Sequence, residues 1–264
     1  MPDVISVLFK WWKPMLVLMA VTTLLTWAVV SFLPKEYVSV ATALPASSTA
    51  ADKAGIFNTT ILTLYPSIGT TDDLDKIEGT ARLDTLFLAV AQKAGLPKAY
   101  GLPDDEYAVY NAAMALKKNT RIGKSEFGEL KIRVWDKSNE RAAQLANALL
   151  QQLQVMHQHL QSQSNNLILQ NLQKDYVQLA GTTSTDSMAI PAVKEQLQRY
   201  AQLINEYKLM VNTNPPVLLV VEPARPALYP DRPDVVMNVV IAFFVSAVFS
   251  FLLVLAMEGR SRTA

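Results

Sequence analysis

No Asp, Glu, Lys or Arg occurs between Lys13 and Lys35, and none occurs between Asp234 and Glu258. The two windows, Pro14–Pro34 and Val235–Met257, are 21 and 23 residues long and almost wholly apolar. At about 1.5 Å of helical rise per residue, about 20 such residues cross a hydrocarbon core of about 30 Å. Buried helices of soluble proteins rarely run this far without a charge, and these two flank everything else in the chain. Lys10, Lys13 and the Ala41-Thr42-Ala43 triplet have the look of a cleavable leader, but an apolar leader core is about 7–15 residues. The first window is therefore expected to be a retained anchor.

The ends set the expected orientation. Lys10 and Lys13 stand against Asp3, and Arg260 and Arg262 against Glu258, so both stubs are net positive and are expected to stay in the cytoplasm. The segment between the spans, with 20 basic and 21 acidic residues, is then exported. Long domains cross with little regard to charge. The expected organisation is a cytoplasmic stub (1–13), a first transmembrane helix (14–34), an exported domain (35–234), a second transmembrane helix (235–257) and a second cytoplasmic stub (258–264). The lipid bilayer itself is an expected partner, and the exported domain suits a periplasm or an outer cell surface; the bacterial inner membrane is what the family resemblance described below implies. There is no Cys, hence no disulfide framework, thiolate nucleophile or Cys-ligated zinc. A net charge of +1 excludes a strongly basic nucleic-acid binder.

The exported segment reads as mixed α and β. Tyr37–Leu44 alternates β-branched and small residues, as a strand does. Pro45–Thr60 is small and polar and reads as loop or broken helix. Thr71-Asp72-Asp73 opens a helical pattern through Ala94, with Ile77, Leu83, Leu86, Phe87 and Val90 as its stripe and Gly95 and Pro97 as its stop. Asp104–Leu116 reads as a shorter helix. Asn119–Ile122 and Glu129–Trp135 form a strand pair, with Leu130, Ile132 and Val134 on one face. Pro216–Glu222 is a further, sequence-distant strand. An α/β base is the economical assembly.

Between these strands lies a helical excursion, 138–211. Ala142, Ala146, Leu149, Leu153, Met156, Leu160, Gln163 and Leu167 step by four and three, which is a heptad seam. The phase slips at Ser162–Asn166, where a kink is expected. Gly181–Asp186 is the expected turn, and Ala192–Val211 returns as a second helix carrying Leu197, Tyr200, Leu203, Ile204 and Tyr207. No charge lies between Arg141 and Lys174, and nine Gln supply most of the polarity there. Gln151, Gln154, Gln158 and Gln161 form a face with two readings. Amides donate and accept hydrogen bonds without a charge's desolvation, which suits a hydroxylated polymer chain. The same face equally suits packing against identical copies.

Chemistry-bearing motifs are few. His157 and His159 are two apart, on opposite faces of a helix, so one metal cannot take both. No phosphate-binding GxxxxGK[ST], HExxH, GxSxG or SxxK occurs. The Asp72, Asp73, Asp75 and Asp104-Asp105-Glu106 clusters sit where helices start and read as caps. Asn58-Thr59-Thr60 matches a glycosylation triplet, a pattern common by chance. No catalytic residue, metal or cofactor is expected, and the chain is not expected to be an enzyme.

Before the second window, Pro223, Pro226, Pro230 and Pro233 recur every three or four residues. Proline fixes φ and removes a donor, favouring an extended path. The segment 223–233 is either a stiff neck from the last strand into the membrane or an ordinary extended linker. In the second window Ala242, Ser246 and Ser250 lie four apart, a spacing of small residues that lets helices approach closely.

Taken in order, these pieces resemble the Wzz-like polysaccharide chain-length determinants, also called polysaccharide co-polymerases. The likeness runs over nearly the whole chain. It includes the basic stub, the first span, YVSVATAL, and GELKIRVWDKSNERAAQLANALL with Ala142, Ala143 and Asn147. It ends with Ala224, Pro226, Pro230 and Pro233 before the second span. The resemblance implies an integral-membrane α+β protein: two transmembrane helices flank a periplasmic α/β base that bears a long projecting helical hairpin. It implies a ring-like homo-oligomer that sets the length of O-antigen, capsule or exopolysaccharide beside a polymerase or export machinery. It implies functional roles for the proline-rich segment and the second span. It equally leaves room for an export adaptor or an activator of a separate tyrosine kinase. The excursion is shorter than in many O-antigen regulators, and with seven residues after Met257 no kinase domain is expected.

Overall fold

The computed structural model describes residues 4–46, 71–182 and 190–261. Most of the loop expected at Pro45–Thr60, the triplet Asn58-Thr59-Thr60, and Thr183–Asp186 of the expected turn lie outside the described residues. The chain divides into two compact units. One combines Met1–Val38, Asp136–Asn139 and Ala227–Ala264, and the other Ser39–Trp135 and Glu140–Pro226.

The first unit is built on two apolar helices, α1 (Val4–Phe32) and α8 (Val235–Ser261). Their stretches long and apolar enough to cross a membrane are Trp11–Phe32 and Val235–Met257. The helix itself begins before the charge-free window, at Val4, and runs through Pro14. Pro14 removes one N–H, and apolar helices tolerate a single freed carbonyl. Near the other end the chain leaves the helix before Pro34, whose ring disfavours helical geometry in the preceding residue. Hydroxyls within α1 are satisfied internally: Thr22 and Thr26 donate to carbonyls four residues back, at 2.9 Å each. Beyond α1, Glu36 forms an antiparallel bridge with Arg232. That bridge sets the end of α1 beside the start of α8, so the packed helices run antiparallel.

The second unit holds a four-stranded sheet of β1 (Tyr37–Pro45), β2 (Thr120–Lys124), β3 (Leu130–Asp136) and β4 (Leu218–Glu222), in the order β2-β3-β1-β4. β1 and β4 are antiparallel, with a register shift between Thr42 and Ala43. β2 and β3 form an antiparallel hairpin pairing Ile122 with Ile132. Leu130, Ile132 and Val134 are all fully buried, the face that their alternation predicts.

The helix expected over 71–94 is corrected to two, α2 (Thr71–Ala81) and α3 (Asp84–Lys93), with a short α4 (Leu96–Ala99) after them. The reason is phase. On a continuous helix the stripe Leu74, Ile77, Ala81 and the stripe Leu86, Phe87, Val90, Ala91 point about 140° apart, at about 100° per residue. A break at Leu83, which is extended at φ −73° and ψ 143°, re-aims the second helix and lets both stripes enter one core. Leu83 itself, expected in the stripe, is half exposed. Gly95 takes the left-handed conformation at φ 59° that starts α4, so Pro97 falls in a first turn, where its missing N–H is harmless. The helix expected from Asp104 begins instead at Ala108 (α5, Ala108–Lys118), because Asp105 closes a turn by accepting from the Tyr107 N–H at 3.0 Å.

The excursion is α6 (Asn139–Thr182) and α7 (Ile190–Thr213). α6 has 44 residues, about 66 Å at helical rise. No break occurs at Ser162–Asn166: the helix is continuous, and Asn166 Nδ2 donates to the Ser162 carbonyl at 2.9 Å within it. Gly181 and Thr182 are helical rather than part of the turn.

Candidate functional site

Three surfaces were expected to matter: the neck, the paired apolar helices and the glutamine face. The neck departs from a free linker in each unit. In the second unit, Asn147 on α6 grips the backbone of Ala224 twice. Its Nδ2 donates to the Ala224 carbonyl at 3.0 Å, and its Oδ1 accepts from the Ala224 N–H at 2.8 Å. A primary amide thus imitates one rung of a strand pair. Ala224 is 7% exposed, so both of its backbone groups depend on this partner. One residue on, the buried Ser39 donates its hydroxyl to the Arg225 carbonyl at 2.9 Å. Pro223 and Pro226 flank this pinned pair and are exposed.

In the first unit, Asn139 Nδ2 donates to the Ala227 carbonyl at 3.1 Å. The Asp231 N–H donates to the Glu36 carbonyl at 2.8 Å, and the Glu36 N–H donates to the Arg232 carbonyl at 2.9 Å. Pro230 is exposed and Pro233 half-buried. Asp234 then caps α8, its carboxylate accepting from the Met237 N–H at 3.0 Å. Proline contributes rigidity and no donor; the neighbouring carbonyls and amides are the handles by which the neck is held.

On α8, Ser246 and Ser250 are buried, at 6% and 2% exposure, and Ala242 is half-buried. α1 is the helix packed along α8 in this unit. The hydroxyls of Ser246 and Ser250 turn back to the carbonyls of Phe243 and Ala247, at 2.9 and 3.0 Å. They therefore present small, internally satisfied surfaces, as close helix approach in lipid requires. Val30 and Val254 are also buried in this unit.

Gln151, Gln154, Gln158 and Gln161 fall within an arc of about 80° on α6. Gln151 is exposed and the others are half-buried. Gln158 is already engaged, donating to the carbonyls of Asn214 and Pro215 at 3.1 and 3.3 Å just past α7. The heptad seam divides sharply. Ala142, Ala146, Leu149 and Leu153 are fully buried, whereas Leu160 and Leu167 are 50% and 62% exposed. The core covers the first half of the stripe and leaves the second half bare.

His157 and His159 take different partners, Thr80 Oγ1 at 2.5 Å and Gln163 Nε2 at 3.0 Å. Burial holds His157 below the ordinary histidine range. Asp72 and Asp73 lie in the first turn of α2, but Asp75 accepts from Lys124 Nζ at 2.5 Å instead. Among the described residues no three His, Cys, Asp or Glu cluster as metal ligands.

Sequence reasoning named Asn147 only within the Ala142, Ala143, Asn147 pattern, and missed its grip on Ala224, as well as Ser39, Asn139 and Glu36. The one available signal for Asn147 was position: an amide beside fully buried Ala146 and Leu149 needs a partner.

No family model matches the chain, and no curated protein matches it. Among solved structures it is similar to a full-length bacterial polysaccharide co-polymerase, with 13% identity, a TM-score of 0.45, and 99% of this chain and 98% of that chain covered. It is similar also to a fragment of WzzB, a polysaccharide co-polymerase from Salmonella Typhimurium, with 13% identity, a TM-score of 0.36, and 75% of this chain and 100% of that chain covered.

Proposed function

We propose that this chain is an inner-membrane regulator of polysaccharide chain length that works as a homo-oligomer beside a polymerase and is not itself an enzyme. The observation that carries the reading is an ordered set of parts. An apolar helix leads into a strand, a mixed α/β unit, a 44-residue helix and a pinned proline neck, and a second apolar helix follows.

Only 6% and 17% of the two apolar stretches are buried, which suits lipid-facing helices rather than the core of a soluble protein. With positive stubs inside, both termini are cytoplasmic and the α/β unit is periplasmic. The bare half of the α6 seam, with Leu160 and Leu167 exposed, supports self-association through a heptad contact. The glutamine face serves either the neighbouring subunit or the glycan.

Deleting the gene tests the reading. The expected result is polysaccharide of unchanged sugar composition with its preferred length lost. Loss of all surface polymer, with an outer-membrane protein copurifying with this chain, would instead identify an export adaptor.

A further inference from the structure

On the solvent face of the β2–β3 hairpin, beside the end of α2, lies a groove of about 580 Å³. Five cations line it, Arg82, Arg121, Lys124, Lys131 and Arg133, with one carboxylate, Glu126, at the hairpin tip. Three already have partners. Arg82 pairs with Glu78, Lys124 with Asp75 at 2.5 Å, and Lys131 with Glu129 at 3.1 Å.

Arg121 and Arg133 differ. They are directly opposite in the strand register, both are exposed, and among the described residues neither makes an ion pair. Like charges directly opposed on a sheet face destabilise it. The fold thus sets two arginines directly opposite one another, with no ion-pair partner for either among the described residues.

The rest of the groove is shaped as well as charged. Gly123 adds no side chain of its own beside Lys131, its cross-strand partner, and the Glu78 carboxylate lies 4.0 Å from where a Cβ would stand. At that tip Phe127 is 83% exposed. It is held there by a structured turn: the Ser125 N–H donates to the Glu129 carbonyl at 2.8 Å, and the Phe127 N–H donates to the Ser125 hydroxyl at 3.3 Å. Gly128 completes the turn at φ +75°, a conformation that favours glycine.

A guanidinium fork fits a carboxylate in bidentate geometry, and a second guanidinium beside it adds charge-assisted donors. An adjacent aromatic face offers an apolar platform of the width of a sugar ring. The volume lies within the roughly 300–1,000 Å³ of small-ligand sites, enough for a few sugar rings, and a concave site does not match a flat lipid surface.

We propose that this groove binds an acidic oligosaccharide, with Arg121 and Arg133 taking the carboxylate and Phe127 stacking on a ring. The sugar part of this assignment rests on the polysaccharide reading above, and the anionic part rests on the arginines alone.

The test uses the full chain in uncharged detergent, titrated with oligogalacturonate of about six residues and with maltohexaose as its neutral counterpart. Binding of the acidic sugar is expected to exceed that of the neutral one by about tenfold or more and to weaken with salt. Arg121→Gln and Arg133→Gln should each weaken it by about tenfold, with melting temperature unchanged or raised because a like-charge pair is relieved. Equal binding of both sugars, or variants that bind as the wild type does, would overturn the proposal. So would a marked fall in melting temperature, which would make the arginines structural. Arginine-dependent binding to phosphatidylglycerol vesicles without binding to the acidic sugar would reassign the groove to lipid. Polysaccharide length measured in the deletion strain is a separate readout, so failure of this site and failure of the regulator reading are distinguishable.

Discussion

Asn147→Ala removes the amide that holds Ala224 and leaves that residue's buried N–H and C=O without their partner. A net hydrogen bond is worth about 1 kcal/mol, so the two together contribute about 2 kcal/mol to keeping the neck closed on α6. At about 1.4 kcal/mol per decade this corresponds to about 30-fold more frequent opening. Amide hydrogen exchange reads the change directly. The neck is unusually well suited to it, because Pro223 and Pro226 have no amide hydrogen. Between Pro223 and Ala227 the exchangeable positions are Ala224, Arg225 and Ala227 alone. In the wild type, Ala224 should be protected. In Asn147→Ala it should exchange about 30-fold faster, while Ile132 and Val134 in β3 keep their protection. Asn147→Asp retains an acceptor for the N–H and loses the donor to the carbonyl, so about fivefold is expected. Unchanged Ala224 exchange in Asn147→Ala would refute the clamp.

Other outcomes follow from the same geometry. Leu153→Ala, at a fully buried position, should destabilise the full chain in detergent by about 2–5 kcal/mol, whereas Leu167→Ala, 62% exposed, should leave its melting temperature nearly unchanged and reduce crosslinked oligomer. Ser246→Leu and Ser250→Leu force methylenes into the α1–α8 contact, for about 1–3 kcal/mol each, and should weaken assembly in detergent; unchanged oligomer size on crosslinking would oppose this. His157 resists protonation because it is buried, so the unfolded chain binds the proton first, and stability falls as pH drops through the ordinary histidine range. Melting curves at about pH 7.5 and about pH 5.5 should show a larger loss for the wild type than for His157→Gln.

The parts legible in the sequence were those set by one-dimensional pattern. Alternation marked β1 and β3, whose residues repeat with period two, while β4 was legible only as a short apolar run. Absence of charge located the two long apolar helices. What was lost depended on where partners lie in space. The stripe over 71–94 looked continuous because Leu83 filled a gap in it, and only the angular offset between Leu74-Ile77-Ala81 and Leu86-Phe87-Val90 reveals the break. The slip in the seam at Ser162–Asn166 suggested a kink, yet a helix whose stripe faces no core there has nothing to bend toward. The neck's prolines were visible, but Asn147 lies 77 residues away from Ala224, and one Asn among several on a polar helix carries no label for such a partner. Arg121 and Arg133 are likewise twelve apart in sequence and become neighbours only through the hairpin register.

The central claim concerns length, so the most direct measurement is the size distribution of the released glycan, taken in a deletion strain supplied with graded amounts of this chain. A broad distribution is expected without the protein, and a defined modal length as its expression rises, at constant sugar composition. Total glycan rising from zero with expression, with no change in the shape of the distribution, would contradict it.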